Sequence, residues 1–389
     1  MNMKMYLPAP ALLLALLLGA CTQAPSGPLY RPSGTLPRCD QPSFSEYTAE
    51  TRNWIEANRH FLTEDRAAEI AANTPFELRP ASAGAPRRGI LLVHGLGDSP
   101  GCFADVAQAL ARQGFLVRAM LLPGHGSRPA DLMLPDIDDW RAAVGHQVRL
   151  LEAEVDEVWL GGFSTGANLV TAHAIRSGSV SGLVLFSPGF VPRSKRLPLA
   201  PVASIFMDWL DIDEPTGNYM RYESLTANAA ALYYKSTVEV RRLLRERGFP
   251  GPALIVMSDA DSVIDPAGVL SLFEAHFTNP ESRFIWYGTP LRTAPPRVVV
   301  RPGRIAAERI SSFSHMCVLF APDNPYYGRA GRLLMLENGQ STASVDLKRE
   351  NVWFSAYGHV EPDKYHARLT WNPYFSELMA AIGALTNAP

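Results

Sequence analysis

The sequence predicts an α/β fold in which a doubly wound, mostly parallel sheet carries a helical insertion. Short apolar runs typical of buried parallel strands alternate with segments of helical periodicity between residues 88 and 186. The alternation stops over 187–252 and resumes with the apolar run 253–257, which indicates an insertion above the carboxyl ends of the strands. Ordinary hydrophobic content, 47%, allows one large core in a chain of 389 residues. The net charge of −2 disfavours binding to nucleic acid phosphates.

The individual elements follow from the same two periodicities. A helical stretch over 44–72 precedes a Pro/Gly/Ala-rich break at 80–86, and the Pro- and Arg-rich segment 290–304 interrupts the later alternation. The predicted strands are 89–93, 115–121, 157–161, 180–186, 253–257, 283–287 and a short 309–311; the predicted helices are 103–113, 136–155, 167–175, 266–276 and 373–385.

The N-terminus indicates export. Lys4 precedes the apolar run 9–20, which is too short to cross a bilayer as a helix. The end of this run, Leu18-Gly19-Ala20-Cys21, resembles the lipobox of bacterial lipoproteins. That resemblance implies a signal peptide over 1–20, lipid attachment at Cys21 and a membrane anchor in the cell envelope; Thr22 then favours the outer membrane. An ordinary cleaved signal peptide with a chance cysteine is the alternative.

Seven prolines and glycines between residues 22 and 42 exclude a regular helix or a central strand. Residues 21–43 are therefore predicted to be a tether, and 44–389 a single domain with a cap at about 188–251. Besides Cys21, the chain has Cys39, Cys102 and Cys317. Because three is an odd number, at least one of these thiols is free or pairs with another chain.

A candidate nucleophile lies between the predicted strand 157–161 and helix 167–175. Gly162-Phe163-Ser164-Thr165-Gly166 fits G-x-S-x-G in the strand–turn–helix context that this pattern requires. The glycines allow a sharp turn that exposes the Ser164 hydroxyl, and the helix N-terminus places free N–H groups beside it. A purely structural turn is the alternative reading.

A glycine-rich turn follows the first buried strand and is the predicted oxyanion loop. It reads His94-Gly95-Leu96-Gly97-Asp98, and the backbone N–H groups of Leu96 and Thr165 are the predicted donors to the oxyanion. His94 precedes the nucleophile, whereas the expected chain order is Ser, acid, His. His94 is therefore expected to shape the turn.

Three carboxylates after strand 253–257 compete for the role of the acid. Asp265 precedes the helix-starting Pro266 and is predicted to be a helix N-cap. Asp261 is the predicted acid, and Asp259, at the strand end, is the alternative.

The general base must come later in the chain. His315 lies among small residues in a predicted loop, where an imidazole can reach the serine hydroxyl while the acid holds its other nitrogen. His359 also lies in a plausible loop before the last helix and remains the alternative. His276 and His366 are expected to be packing or surface residues.

Five stretches together resemble the carboxylesterase and monoacylglycerol-lipase branch of the α/β-hydrolases, whose profile overlaps the serine aminopeptidase group. The resemblance implies the α/β-hydrolase fold with a helical cap, Ser164 as nucleophile, Asp261 as acid, and Leu96 and Thr165 as oxyanion donors. The chain departs from the pattern after Tyr287, because His315 comes late and a long C-terminal stretch follows it. The matching stretches are 94–96, 122–126, 138–140, 162–166 and 261–266.

The predicted function is a serine hydrolase that cleaves carboxylic esters of short or medium acyl chain, or monoacylglycerol-like lipids, through an acyl-enzyme. No metal or organic cofactor is needed. The apolar stretch 197–210 is expected to line an acyl pocket or to pack on the core.

The sequence is also compatible with two rival functions. The first is a serine aminopeptidase, in which acidic cap residues would anchor the substrate's ammonium group. The second is a membrane-tethered binding lipoprotein without turnover. The candidate anchors for the ammonium group are Asp208, Asp211, Asp213 and Glu214, whose alternative role is a solvated acidic surface.

Overall fold

The computed structural model describes residues 26–81, 86–293, 295–340 and 348–387. The predicted signal peptide and the predicted lipidation site, Cys21, lie outside the described residues.

Eight strands form one mostly parallel sheet, and this confirms the predicted fold class. Their spatial order is β1-β3-β2-β4-β5-β8-β9-β10, and only β1 runs antiparallel to its neighbour. The strand order reverses around β2, where a crevice opens at the carboxyl ends of the strands. The strands are β1 (Phe76–Leu78), β2 (Arg88–Val93), β3 (Phe115–Met120), β4 (Glu157–Phe163), β5 (Gly182–Phe186), β8 (Ala253–Ser258), β9 (Arg283–Gly288) and β10 (Val298–Pro302).

Helices cover both faces of the sheet. Successive residues of β2 enter opposite cores, Leu91 and Val93 on one side and Ile90 and Leu92 on the other. Burial on both faces explains why the strands are continuous apolar runs. The helices are α1 (Phe44–Asn58), α2 (Arg66–Asn73), α3 (Ala104–Arg112), α4 (Ile137–Glu152), α5 (Thr165–Ser177), α6 (Ala200–Phe206), α7 (Ala227–Arg247), α8 (Pro266–His276) and α9 (Phe375–Thr386).

Three local predictions differ from the structure. The helical stretch 44–72 is two helices, and the break between them is fixed by Arg59, whose buried guanidinium pairs with Glu69 at 2.8 Å. The segment 290–304 contains β10, a half-buried edge strand whose pattern does not alternate. The predicted strand 309–311 is reduced to isolated bridges at Ile310.

The segment between β5 and β8 holds α6, α7 and a small antiparallel pair, β6 (Trp209–Asp211) with β7 (Leu225–Thr226). The C-terminal stretch adds a parallel pair, β11 (Trp353–Ser355) with β12 (His366–Arg368), and packs large side chains against α3 and α9. Both segments lie above the carboxyl ends of the strands, because residues of both line the cavity described below.

The described part of the predicted tether lies against the domain. It contains one 3₁₀ turn, Pro28–Tyr30. The Ser33 N–H donates to Asp131 Oδ1 at 2.6 Å, and the Tyr30 ring meets the Trp209 ring edge-on at 5.6 Å. Within the residues that the structure describes, no helix has the length and apolar character needed to cross a membrane.

Candidate active site

Ser164 occupies a strained turn between β4 and α5. Its φ of 51° and ψ of −113° lie outside the regions that residues with a Cβ normally adopt. The turn is held by two backbone bonds: the Ser164 N–H donates to the Phe186 carbonyl, and the Gly189 N–H donates to the Ser164 carbonyl, both at 3.0 Å. These bonds hold the backbone of Ser164 at the N-terminus of α5.

The glycines that flank Ser164 are required by close backbone approach. A Cβ on Gly166 would lie 1.9 Å from the Val93 carbonyl oxygen, and one on Gly162 would lie 2.5 Å from the Ala167 nitrogen. Both contacts are far below van der Waals distance. The turn is consequently pressed against the end of β2, where the oxyanion loop begins.

Leu96 and Thr165, the predicted oxyanion donors, line one cavity together with Ser164. Thr165 is the first residue of α5, so its N–H has no acceptor inside the helix. Among the described contacts, neither the Leu96 N–H nor the Thr165 N–H donates to another group of the protein. Both are thus available to an anionic oxygen beside Ser164.

Two buried histidines hold the oxyanion loop. The Leu122 N–H donates to His94 Nε2 at 3.0 Å, so His94 Nδ1 carries the proton and donates to the Gly95 carbonyl at 2.8 Å. The Gly97 N–H donates to His125 Nε2, also at 3.0 Å. Burial lowers the pKa of His94 to about 4 and that of His125 well below its usual value, so both rings are neutral at pH 7.

Asp261 and His315 form a hydrogen-bonded pair at the carboxyl end of β8. His315 Nδ1 donates to Asp261 Oδ2 at 2.6 Å, and Asp261 Oδ1 accepts from the N–H groups of Val263 and Ile264, each at 2.9 Å. The Asp261 side chain is fully buried and that of His315 is 15% exposed. This leaves His315 Nε2 as the ring nitrogen available to the cavity that also contains Ser164.

Two neighbours fix the position of this pair. The Ser187 hydroxyl donates to the His315 carbonyl at 2.9 Å. Arg193, at the start of the segment between β5 and β8, donates from Nε to the Asp261 carbonyl at 2.6 Å. Sequence reasoning missed both residues, because neither lies near Asp261 or His315 in the chain.

The competing candidates have other partners. Asp259 Oδ2 accepts from the Thr289 N–H at 2.7 Å, and Asp265 stands at the N-cap position of α8 without a capping hydrogen bond from its side chain. His359 Nε2 lies 3.1 Å from Glu361 Oε1, and His359 is absent from the described wall of the cavity around Ser164. The structure thus brings together Ser164, Asp261 and His315.

The cavity has a volume of about 540 Å³ and a mixed lining. Its wall includes Leu197 and Tyr233 from the segment between β5 and β8, and Tyr357 and Arg368 from the C-terminal stretch. The remaining charged residues of the lining are Asp98, Asp211, Asp213, Arg221 and Glu223.

A strained serine between a strand and a helix, the chain order Ser, acid, His, and a sheet of this order are the features of the α/β-hydrolase fold. The chain has the α/β-hydrolase fold, and its residues 84–224 match the family model described as serine aminopeptidase, S33.

The individual proteins to which the chain is similar include a curated lipase and two solved structures. The chain is 25% identical to a thermostable monoacylglycerol lipase of Bacillus sp. (strain H-257) over 197 residues, which is 48% of this chain and 75% of that protein. Among solved structures it is similar to a metagenome-derived lipolytic enzyme, with 23% identity, a TM-score of 0.49, and coverage of 56% of this chain and 87% of that one. It is also similar to a Paleococcus ferrophilus monoacylglycerol lipase, with 18% identity, a TM-score of 0.45, and coverage of 55% of this chain and 87% of that one.

Proposed function

We propose that the protein is a serine esterase of the lipase type, which hydrolyses carboxylic esters of short or medium acyl chain or monoacylglycerol-like lipids. The observation that carries this proposal is the 2.6 Å hydrogen bond between His315 Nδ1 and Asp261 Oδ2, in a cavity that also exposes Ser164. The similarity to a Bacillus monoacylglycerol lipase supports the choice of substrate class.

The reaction follows from these positions. His315 Nε2 takes the proton from Ser164 Oγ as the oxygen attacks the ester carbonyl, and the resulting oxyanion accepts hydrogen bonds from the N–H groups of Leu96 and Thr165. The alcohol leaves with the proton from His315, which produces an acyl-enzyme. Water, deprotonated by the same nitrogen, then releases the acid and restores Ser164. The Asp261 carboxylate stabilises the imidazolium in both halves.

Hydrolysis of a 4-nitrophenyl ester series by the full chain in detergent tests this proposal. Ser164→Ala and His315→Ala are expected to lower kcat by at least about 10⁴-fold, because each removes a group that bonds to the reacting atoms. His359→Ala is the matched control and is expected to retain activity. An inactive wild type that also resists a fluorophosphonate probe at Ser164 would instead support a binding lipoprotein without turnover.

A serine aminopeptidase is the second candidate, and one observation favours it. Asp211 and Asp213, two of the acidic cap residues that the sequence offers as ammonium anchors, line the cavity with Ser164. Asp208 and Glu214 are absent from its described lining. Both Asp211 and Asp213 are exposed, so water and ions screen their charges. Hydrolysis of aminoacyl 4-nitroanilides that depends on Asp211 and Asp213, with no ester hydrolysis, would favour the peptidase.

We further propose that the protein acts at a membrane of the cell envelope, held by a lipid on Cys21. The surface of the segment between β5 and β8 supports this location. Ile205 and Phe206 of α6 are 74% and 82% exposed, so most of the apolar stretch 197–210 neither lines the cavity nor packs on the core. Leu197, which lies in the cavity wall, and Ala200, which is buried against Ala230 and Ala231 of α7, are exceptions.

An exposed basic run precedes this apolar surface and consists of Arg193, Lys195 and Arg196. Basic residues beside exposed apolar ones are typical of segments that lie at an anionic membrane surface. Co-sedimentation with vesicles of anionic lipid tests the proposal. The double substitution Ile205→Ser and Phe206→Ser is expected to weaken binding, whereas Val360→Ser, another exposed apolar position, is the control.

A further inference from the structure

Two arginines from distant parts of the chain line the active-site cavity. Arg221 comes from the segment between β5 and β8, and Arg368 is the last residue of β12 in the C-terminal stretch. Both line the cavity that holds Ser164 and His315. Because Arg368 lies outside residues 84–224, this part of the wall is not covered by the family match.

Neither guanidinium is neutralised by a carboxylate among the described residues. No described Asp or Glu oxygen lies within ion-pair distance of Arg221 or Arg368. The two buried arginines among the described residues do have acidic partners. Arg59 pairs with Glu69 at 2.8 Å, and Arg118 pairs with Glu77 at the same distance. Arg221 and Arg368 differ from these two because they lie partly buried beside a nucleophile without an acidic partner among the described residues.

Arg368 is held in place without being neutralised. Its Nη2 donates to the Glu337 carbonyl at 3.0 Å, and its guanidinium lies over the Tyr357 ring at 4.9 Å. Burial, and secondly the charge of Arg221, lower the pKa of Arg368 to about 10, so that it remains a cation at neutral pH. The repulsion between the two arginines means that an anion placed between them would relieve an existing cost.

The same cavity wall contains four acidic residues, and among the described contacts none of them forms an ion pair with Arg221 or Arg368. Burial raises the pKa of Asp98, and the positive charge of Arg221 opposes this shift. Glu223 accepts hydrogen bonds from the Thr216 N–H and hydroxyl. Asp211 and Asp213 are exposed. The guanidiniums of Arg221 and Arg368 are therefore not paired with any of the acidic residues described in this wall.

We propose that Arg221 and Arg368 form an anion-binding subsite that selects esters carrying a carboxylate or phosphate group near the scissile bond. The planar fork of a guanidinium matches either group with two parallel N–H donors, and two forks at one site favour an anion over a neutral substituent. This inference rests on the proposed esterase function and names its substrate class more closely.

The test compares kcat/KM within two pairs of esters, using the full chain in detergent. The first pair is 4-nitrophenyl hemisuccinate, which has a carboxylate on the acyl side, and the neutral 4-nitrophenyl butyrate. The second pair is 1-acylglycerol 3-phosphate, which has a phosphate on the alcohol side, and the corresponding monoacylglycerol. The wild type is expected to prefer the anionic member of at least one pair, and the preferred pair identifies the natural group. In that pair, Arg221→Gln and Arg368→Gln should each lower the ratio of anionic to neutral kcat/KM by roughly tenfold or more.

Arg292→Gln is the matched control, because it removes the same charge from an exposed position outside the described cavity wall, and its ratio should equal the wild-type ratio. Thermal unfolding midpoints identify any variant that fails to fold, and Arg221→Gln alone then carries the test. Equal wild-type rates within both pairs, or ratios that survive both substitutions, would overturn the subsite.

Binding measured on Ser164→Ala protein separates the subsite from the esterase function. Calorimetry with succinate and with 1-acylglycerol 3-phosphate should detect binding of one of them that Arg221→Gln weakens by roughly tenfold. If the wild type hydrolyses no ester but this binding is present, the esterase proposal fails and the subsite stands. If esters are hydrolysed and neither anion binds, the subsite fails alone.

Discussion

Asp261→Asn removes the negative charge from the partner of His315 while keeping its size. An asparagine oxygen can still accept from the Val263 and Ile264 N–H groups, so the loop is expected to stay in place. Its amide nitrogen, however, would face His315 Nδ1 at the position of the present 2.6 Å bond. An amide N–H donates, so the imidazole would move its proton to Nε2 and could no longer accept the Ser164 proton.

The expected loss is set by two effects, the wrong tautomer and an imidazolium without its counter-charge. Together they are worth about 10⁴-fold in kcat, or about 5.5 kcal/mol at 1.36 kcal/mol for each factor of ten. The assay is kcat on a 4-nitrophenyl ester, with the urea unfolding midpoint to confirm a folded variant. KM should change little, because Asp261 is fully buried and lies behind His315.

Asp259→Asn is the matched control on the same loop. Asp259 Oδ2 accepts only the Thr289 N–H, and asparagine can preserve this bond. The variant is expected to retain kcat within a few-fold. A mild loss for Asp261→Asn together with a severe loss for Asp259→Asn would refute the assignment of the acid and shift it to Asp259.

Three further predictions concern packing and pH. Glu69→Gln leaves the buried Arg59 guanidinium uncompensated and should lower the free energy of unfolding by about 3–5 kcal/mol in urea titrations, whereas Glu56→Gln, in an exposed pair, should cost about 0.5 kcal/mol or less. Gly166→Ala places a Cβ 1.9 Å from a carbonyl oxygen, so kcat should fall by at least about 100-fold; wild-type activity would contradict this geometry. The pKa of His94 is lower in the folded protein than in the unfolded chain, so the unfolded state binds this proton first as the pH falls. The contribution of His94 should therefore lower the free energy of unfolding by about 3 kcal/mol between pH 6.5 and 4. Comparison with His94→Asn over the same pH range measures this contribution.

The sheet was predictable because its strands are buried on both faces, which leaves a continuous apolar run for each strand. β10 was missed for the opposite physical reason: it is an edge strand whose residues are mostly half-buried, and proline and arginine surround it. The break between α1 and α2 was also missed. It depends on the pairing of Arg59 with Glu69, ten residues apart, which helical periodicity does not report.

Some features of the site could be predicted from neighbouring residues in the sequence, whereas others depend on residues that are far apart in the chain. Adjacent glycines allow the backbone geometry of the turn at Ser164 and of the oxyanion loop, so a short stretch of sequence predicts each of them. Asp261 and His315 are 54 residues apart, and only the fold brings them together. His125 supports Gly97 from 28 residues away, and no neighbouring residue in the chain signals this role.

The roles of Arg221 and Arg368 could not be predicted from the sequence, because they depend on the absence of an acidic partner in the folded chain. An arginine in a sequence is expected to be solvated or paired, and its exposure and partners become known only in the folded chain. The chemistry of the site depends on Ser164 and its hydrogen-bonded neighbours, whereas Arg368 and Tyr357 enter the cavity from the C-terminal stretch. Substitutions in that stretch should therefore change which esters are accepted before they change the reactivity of Ser164.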